Sequence, residues 1–452
     1  MFPAAAYGQT YIPLEAPAAI LVEQTTGRIL YGVNIHNAMY PASMSKMLTA
    51  LVVLDYLHPD QILTIGSEIR GMPLGYATNI HVEGETITVR MLLRALLIRS
   101  GNETGRILAL NVIRTREGNP NIPYNDAKRL FSVLMNERAR SLGAINTHFN
   151  NPYGLHSEAH FTTAYDMALI ARAFMEVPLL TEIVATRVFT GDSLEGGADY
   201  FEGALVRQYN WTNHNQMLPG GTHGYAHVTG IKTGFTTPAG HCLAASATRN
   251  NLSLIAVVFN SPDPWRWQDT RHLLDYGFDN YAFRTIQQQD EQIDEVQIFN
   301  PRLGDYQTLA VLANDTHTSL LSHWEYDNLT RIITYNPLLI VSEERYAYDD
   351  GTVRLQAPII AGEVIGTVSY LYNETIKFQG NIIAARDVLE RTFDSDMDYY
   401  IARFISTIFT TRALPYWFGA TGMLVGVLGV GFAVSTRRKV NNDRWGYGKS
   451  KY

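Results

Sequence analysis

The chain has 452 residues, of which 46% are hydrophobic and 17% charged, and its net charge is −7 at pH 7. This composition is typical of a globular protein and not of a disordered one, and the length predicts two or three structural units. The negative charge argues against nucleic acid as a main partner, and a single cysteine, Cys242, excludes an intrachain disulfide.

The first part of the chain predicts an α+β domain. Residues 18–34 (AAILVEQTTGRILYGVN) predict a β-hairpin, because two apolar runs flank a Thr-Thr-Gly turn. Apolar residues at helical spacing then predict helices after Ser43 and over 88–100, 124–143, 162–177 and 265–283. Strand patterns occupy 228–260, around turns at Gly240 and Asn250-Asn251. Strands at both ends with helices between them predict one antiparallel sheet with a helical layer.

From about Glu291 the chain changes to short β-rich runs separated by turn residues, which is typical of a small all-β module. The sequence thus predicts a division into five segments. They are a first domain at 15–285, a β-rich domain at 291–383, an amphipathic linker at 387–412, a transmembrane helix at 413–435 and a basic cytoplasmic tail at 436–452.

The transmembrane prediction rests on a run without charged side chains, ALPYWFGATGMLVGVLGVGFAV, which begins at Ala413. A helix of this length spans roughly 33 Å, about the thickness of a bilayer's hydrocarbon core. Arg437, Arg438 and Lys439 follow the run, so we expect the tail to be cytoplasmic and everything before the span to be outside. The N-terminal MFPAAAYGQ lacks a complete signal peptide, and we expect a mature or trimmed N-terminus.

Ser43 and Lys46 form the first candidate catalytic pair. Side chains at i and i+3 share one face of a helix, and the helix N-terminus favours developing negative charge. Lys46 could accept the serine proton only when it is neutral, and lowering its pKa by two units costs about 2.7 kcal/mol. Burial and a second cation, such as Lys232, both act in that direction.

Two more short motifs follow in the chain. RSGNETG puts Ser100 and Asn102 in a loop just after a helix, and IKTG puts Lys232, Thr233 and Gly234 on a strand. Alone, Ser-x-x-Lys is also compatible with an N-cap serine and a surface lysine. Together, Ser-x-x-Lys, Ser-x-Asn and Lys-Thr-Gly form the motif set of penicillin-binding proteins and class A β-lactamases.

With these motifs the chain resembles the low-molecular-mass penicillin-binding proteins, the serine-type D-alanyl-D-alanine carboxypeptidases. PASMSKMLTA, LLIRSGNETG, NNPYGLHSEAHFTTAYDMALIAR and GIKTGFTTPAGHCLAASA look like that family, and LQAPIIAGEVIGTV looks like its C-terminal β domain. The resemblance implies an α/β (α+β) catalytic domain of the penicilloyl-serine transferase or β-lactamase-like fold, with an antiparallel sheet flanked by helices. It also implies peptidoglycan stem peptides as substrates, β-lactams as inhibitors, and neither a metal nor another cofactor.

The same resemblance implies roles for the motif residues. Ser43 is the nucleophile, Lys46 the general base, and Ser100 a proton relay to the departing D-alanine. Substrate binding falls to the remaining candidates: Asn102, Lys232, Thr233, Gly234, Phe235 and Arg266. Phe235 occupies a position that is often His in the family, although its backbone N–H can still serve the oxyanion hole. Arg271 is an alternative to Arg266 as the partner of the substrate carboxylate.

Three other functions are considered. A class A β-lactamase needs a deacylating glutamate in a Glu-x-x-x-Asn loop, and no convincing substitute occurs between the second and third motifs. A zinc peptidase is raised by two His-x-x-x-His pairs, at 156/160 and 223/227, but both lie among glycines and turn residues. A catalytically weak penicillin-binding sensor or cell-wall anchor is disfavoured by the intact serine and lysine set.

Overall fold

The computed structural model describes residues 11–72, 78, 80–194, 203–341 and 352–408. The predicted span at 413–435 and the tail after it lie outside the described residues. Within the described ranges, every helix is too short or too polar to cross a bilayer. The chain divides into two compact units between Phe283 and Arg284, and Leu320–His323 return to the first unit. The predicted limits of the five segments stay predictions.

A five-stranded sheet forms the centre of the first unit. Its strand order is β2-β1-β9-β8-β7, and all neighbours are antiparallel, so that β7 lies at one edge. The strands are β1 (Ala18–Glu23), β2 (Ile29–Val33), β7 (Val228–Thr236), β8 (Gly240–Arg249) and β9 (Leu252–Ser261). Two short pairs accompany them: β3 (Ile62–Thr64) with β4 (Thr86–Thr88), and β5 (Val188–Asp192) with β6 (Gln208–Thr212).

The turn between β8 and β9 follows from its sequence. Asn250 and Asn251 have φ angles of 50° and 64°, so both residues are left-handed. A two-residue hairpin with positive φ at both positions matches the twist of the flanking strands, and asparagine tolerates this conformation best after glycine.

Helices cover both faces of the sheet. They are α1 (Lys46–Tyr56), α2 (Val89–Ile98), α3 (Asn102–Glu117), α4 (Tyr124–Ser141), α5 (Ala164–Met175), α6 (Pro178–Ala185) and α7 (Trp265–Asn280). The sequence reasoning did not identify α3 and α6. The predicted helix over 265–283 ends earlier, at Asn280, because Tyr281 begins the extended strand β10 (Tyr281–Gln287).

Alternating side chains of β1 enter two separate cores. Ile20 and Val22 pack into the larger core with α1 to α5, whereas Ala19 and Leu21 pack into a smaller one that includes Leu273 of α7. Every residue of β1 is buried, as expected for a strand covered on both faces. The first turns of α1 are therefore enclosed on all sides, which determines the environment of Lys46.

The second unit consists mainly of strands around its own apolar core, which includes Leu309, Val311, Val368 and Ile382. Its elements are β11 (Gln292–Phe299), β12 (Thr308–Ala313), β14 (Thr330–Tyr335), β15 (Arg354–Gln356), β16 (Val364–Tyr372), β17 (Thr375–Ala384) and α9 (Phe393–Ile408). β13 (His317–Ser322) and α8 (His323–Asp327) belong to it in part, because Leu320–His323 belong to the first unit. A six-stranded sheet has the order β14-β16-β17-β12-β11-β15.

Candidate active site

Ser43 lies in a 3₁₀ turn, Ala42–Ser45, immediately before α1. Lys46 is the first residue of α1, and its Nζ lies 2.9 Å from Ser43 Oγ. The predicted proximity of the two side chains is therefore present in the structure. A hydroxyl at this distance from an amine can transfer its proton directly to that amine.

Lys46 is completely buried, and three oxygen atoms surround its amine. Besides Ser43 Oγ, they are Asn102 Oδ1 at 2.8 Å and the carbonyl oxygen of Tyr153 at 2.5 Å. Two of these groups can only accept hydrogen bonds. A neutral amine has two hydrogens and one lone pair, so donation to both carbonyl oxygens directs the lone pair towards the Ser43 hydroxyl.

The electrostatic surroundings favour the neutral form of Lys46. Burial and, next, the charge of Lys232 lower the pKa of Lys46 well below its ordinary value, although the nearby Glu103 raises it in part. The Glu103 carboxylate is engaged elsewhere, because it accepts hydrogen bonds from Thr78 and from Ile80 N, at 2.9 Å. The contact with Ser43 and the lowered pKa of Lys46 both favour the role of general base that the motif predicts.

The Tyr153 carbonyl was missed by the sequence reasoning, and a buried asparagine holds it in place. Asn151 Oδ1 accepts hydrogen bonds from the backbone N–H groups of Tyr153 (3.2 Å), Gly154 (2.7 Å) and Leu155 (3.1 Å). Gly154 has a φ angle of 85°, and a Cβ there would lie 2.0 Å from the carbonyl oxygen of Ala42. Only glycine therefore fits beside the turn that carries Ser43.

The second motif connects α2 to α3. Ser100 lies between the helices with a φ angle of 58°, a conformation that non-glycine residues seldom adopt and that is often retained at functional sites. The prediction that Asn102 lies in a loop was wrong, because Asn102 is the first residue of α3. Its position in the first turn of α3 fixes the amide that Lys46 contacts.

The third motif lies on the edge strand β7. A Cβ at Gly234 would lie 2.7 Å from the Pro41 carbonyl oxygen, so glycine allows β7 to approach the Ser43 turn closely. Lys232 is buried, and its Nζ donates to the Thr233 carbonyl at 3.0 Å. Burial and, next, the charge of Arg266 lower the pKa of Lys232 to about 7.

Arg266 and Phe235 meet at the end of β7. Phe235 is more than half exposed and stacks on the His241 ring, with 4.4 Å between ring centroids, while Arg266 Nη1 lies 2.9 Å from His241 Nδ1. Arg271, the alternative candidate, donates instead to the carbonyl oxygens of His223 and Gly224. Of the two arginines, Arg266 lines the cavity beside Ser43.

A cavity of about 650 Å³ brings the three motifs together. The predicted site residues that line it are Ser43, Ser100, Asn102, Thr233, Gly234, Phe235 and Arg266. Lys46 and Lys232 are buried behind its wall. All nine candidates thus lie at or directly behind one concave surface, although their individual roles stay predictions.

In each of the two His-x-x-x-His pairs, one histidine ring packs against an aromatic side chain. His160 is buried against Phe149 and its Nδ1 accepts from Asn150 N at 3.1 Å, while His223 stacks on Trp267. Burial and, next, the charge of His148 lower the pKa of His160 to about 3, so the ring stays neutral. Among the described residues, no group of three or more His, Cys, Asp or Glu side chains could hold a metal ion.

Residues 6–263 match the family model of peptidase S11, described as D-alanyl-D-alanine carboxypeptidase. The chain belongs to the D-alanyl-D-alanine carboxypeptidase family. This match covers more than half of the chain and includes all three motifs. It confirms the predicted relationship to serine-type D-alanyl-D-alanine carboxypeptidases and favours that activity over a silent binder.

Individual relatives agree with the assignment to the D-alanyl-D-alanine carboxypeptidase family. The chain is 30% identical over 289 residues to D-alanyl-D-alanine carboxypeptidase DacF of Bacillus subtilis, which covers 63% of this chain and 67% of the relative. It is 29% identical over 394 residues to DacA of Haemophilus influenzae, and this match covers 85% of this chain and 88% of the relative. The crystal structure of penicillin binding protein 5 from Haemophilus influenzae matches 85% of this chain and 100% of its own, with a TM-score of 0.56 and 26% identity. These neighbours confirm the penicilloyl-serine transferase-like α/β fold.

Proposed function

We propose that this carboxypeptidase removes the terminal D-alanine from peptidoglycan stem pentapeptides through an acyl-enzyme on Ser43. The observation that carries the proposal is the contact of 2.9 Å between Ser43 Oγ and the buried Lys46 amine. Neutral Lys46 takes the hydroxyl proton while Ser43 Oγ attacks the carbonyl of the penultimate D-alanine. The backbone N–H groups of Ser43 and Phe235 stabilise the oxyanion, and one such donor lowers a barrier by roughly 3–4 kcal/mol.

The leaving group needs a proton as the C–N bond breaks. Ser100 and Lys232 are the proposed relay to the D-alanine amine, because Ser100 faces the cavity and Lys232 lies behind it. Asn102 positions the substrate backbone, and Lys232, Thr233 and Arg266 hold the terminal carboxylate. Lys46 passes the serine proton through this relay to the departing amine and is neutral again. Water then attacks the ester while Lys46 takes one of its protons, and Lys46 delivers that proton to Ser43 Oγ as the acyl C–O bond breaks, which releases the shortened peptide and frees Ser43.

Two measurements separate this proposal from its alternatives. A fluorescent penicillin should label the wild-type protein and leave the Ser43→Ala variant unlabelled, because β-lactams resemble the D-alanyl-D-alanine end. Release of D-alanine from a synthetic stem pentapeptide then separates the enzyme from a penicillin-binding sensor. Label without D-alanine release would favour the sensor, and rapid turnover of penicillin would favour a β-lactamase.

We also propose a single-pass anchor at 413–435, with the catalytic unit on the extracytoplasmic face of a bacterial cell membrane. The support is the uncharged run that starts at Ala413 and the basic residues Arg437 and Arg438 after it. The full chain should sediment with membranes, and a chain ending at Arg412 should not. Protease added to intact spheroplasts should digest the catalytic unit, and complete protection would contradict the orientation.

A further inference from the structure

The wall of the cavity is strongly cationic. Arg99, Arg187 and Arg266 line it, and its lining within the described residues includes no Asp or Glu, although the whole chain carries a net charge of −7. Arg266 is assigned to the terminal carboxylate of the substrate. In the described part of the chain, no carboxylate lies within ion-pair distance of Arg99 or Arg187. Among the described residues, these two guanidinium groups at the cavity therefore have no carboxylate partner.

These two arginines are held by different parts of the first unit from Arg266. Arg266 contacts His241, whose register partner on β7 is Phe235. At the other end, a Cβ on Gly230 would lie 2.6 Å from the side chain of Val184, near the end of α6, and Arg187 follows shortly after that helix. Strands advance about 3.3 Å per residue, so Gly230 and Phe235 are roughly 16 Å apart. Arg187 Nε would lie 3.4 Å from a Cβ on Gly220, whereas Arg266 is held beside His241, so the two guanidinium groups present separate donors to the cavity.

Backbone hydrogen bonds bring Arg99 and Arg187 to the same wall. His214 N donates to the Ile98 carbonyl at 3.3 Å, and Asn213 N donates to the Arg187 carbonyl at 2.8 Å. Arg99 Nη1 also lies 3.3 Å from His214 Nε2. Because a guanidinium can only donate, His214 Nε2 must accept, which requires a neutral ring. Partial burial and the charges of Lys232 and Arg99 lower the pKa of His214 to about 4, so this contact persists at neutral pH.

We propose that Arg99 and Arg187 form a second carboxylate subsite, which selects peptides carrying a carboxylate in addition to the terminal one. The inference rests on the proposed function, since it extends the same cavity. Guanidinium groups bind carboxylates through paired, charge-assisted hydrogen bonds, and an uncharged amide of the same shape loses most of that attraction. The second carboxylate has two possible sources: the side chain of the diamino acid at stem position three, or the leaving residue.

The test compares matched peptides with the purified full chain, and kcat/KM is measured for each. In the first pair, the residue before D-alanyl-D-alanine is diaminopimelate or lysine. In the second pair, the leaving residue is D-glutamate or D-glutamine. We expect the additional carboxylate to raise kcat/KM about tenfold in at least one pair. That advantage should fall from about tenfold to about twofold or less in the double variant Arg99→Gln/Arg187→Gln.

Arg129→Gln is the matched control, because Arg129 is an exposed arginine of α4 outside the cavity lining. The Arg129→Gln variant should keep the wild-type preference, measured as kcat/KM, for the peptide with the additional carboxylate. Penicillin labelling of the double variant shows whether the Ser43 region is still folded. If D-alanine is released but neither carboxylate peptide is preferred, or if the double variant keeps the preference, the subsite inference is wrong and the proposed function stands. If no peptide is cleaved, both are wrong.

Discussion

Lys46 Nζ lies 2.9 Å from Ser43 Oγ, and its remaining contacts leave a neutral amine one direction for its lone pair. Asn102 Oδ1 and the Tyr153 carbonyl, at 2.8 and 2.5 Å, take its two hydrogens. In the proposed mechanism, this arrangement activates the Ser43 hydroxyl. Preorganisation of this kind removes the need to reorient groups during the reaction.

The pH dependence of activity should reflect the protonation states of two lysines, Lys46 and Lys232. In the proposed mechanism, Lys46 is neutral when it acts as base, and Lys232 is charged when it holds the substrate carboxylate. Since the pKa of Lys232 is about 7, kcat/KM for D-alanine release should decline as the pH rises above about 7. In Lys232→Arg the cation persists, so the alkaline decline should disappear even if the overall rate is lower. An unchanged alkaline limb in this variant would show that another group titrates there.

Lys232 should also destabilise the fold at neutral pH. Its pKa is about 7 in the folded protein and about 10.5 when exposed, so between these values the unfolded chain binds more protons. The free energy of unfolding should therefore rise from pH 7 towards pH 10.5. Lys232→Met removes the buried cation and should raise the free energy of unfolding at pH 7 by about 3 kcal/mol while abolishing activity.

Denaturant unfolding of the first unit at pH 7 and pH 9 measures this effect. The Lys128→Met variant is the control, because Lys128 lies on α4 and is only partly buried. A stability of Lys232→Met that equals the wild-type value at pH 7 would contradict the pKa assignment.

Asn151 should support catalysis through the Tyr153 carbonyl. Asn151→Ala leaves three N–H groups without their partner, and the loss at each of the two buried ones, Tyr153 and Gly154, costs about 1–3 kcal/mol before relaxation. We expect slower acylation by penicillin, because the Lys46 amine loses a fixed acceptor. The acid limb of the pH profile of this acylation rate should shift for the same reason. The second-order labelling rate between pH 5 and 9 measures both effects. A variant that is less stable but has an unchanged pH profile would limit Asn151 to a structural role.

Sequence reasoning located the three motifs because each has its own residue pattern. It missed the Tyr153 carbonyl, since a backbone oxygen has no signature and its position depends on Asn151 and Gly154. It also missed helix α3, where Gly105 and polar residues weaken the helical pattern. The structure explains this glycine, because a Cβ there would lie 3.2 Å from the Pro152 carbonyl oxygen. Tertiary packing against the loop before Tyr153 therefore determined a residue that local propensity disfavours.

The burial of the two lysines was likewise outside the reach of the sequence. Lys46 is spaced like an ordinary residue of an amphipathic helix, and Lys232 like a strand residue at a sheet edge. Their burial follows from the helices that cover both faces of the sheet and from the close approach of β7 at Gly234. The electrostatic consequence, a neutral base beside a cation, could be proposed from the motifs but depends on this packing.

The central claim is that the neutral Lys46 amine activates Ser43. The direct measurement is D-alanine release from a synthetic stem pentapeptide by wild type and by Lys46→Ala, with the acyl-enzyme on Ser43 followed by mass spectrometry. We expect Lys46→Ala to lower the acylation rate by about 10²–10⁴-fold, the range of general-base catalysis, with its fold intact. Acylation of Ser43 at the wild-type rate in Lys46→Ala would contradict the account.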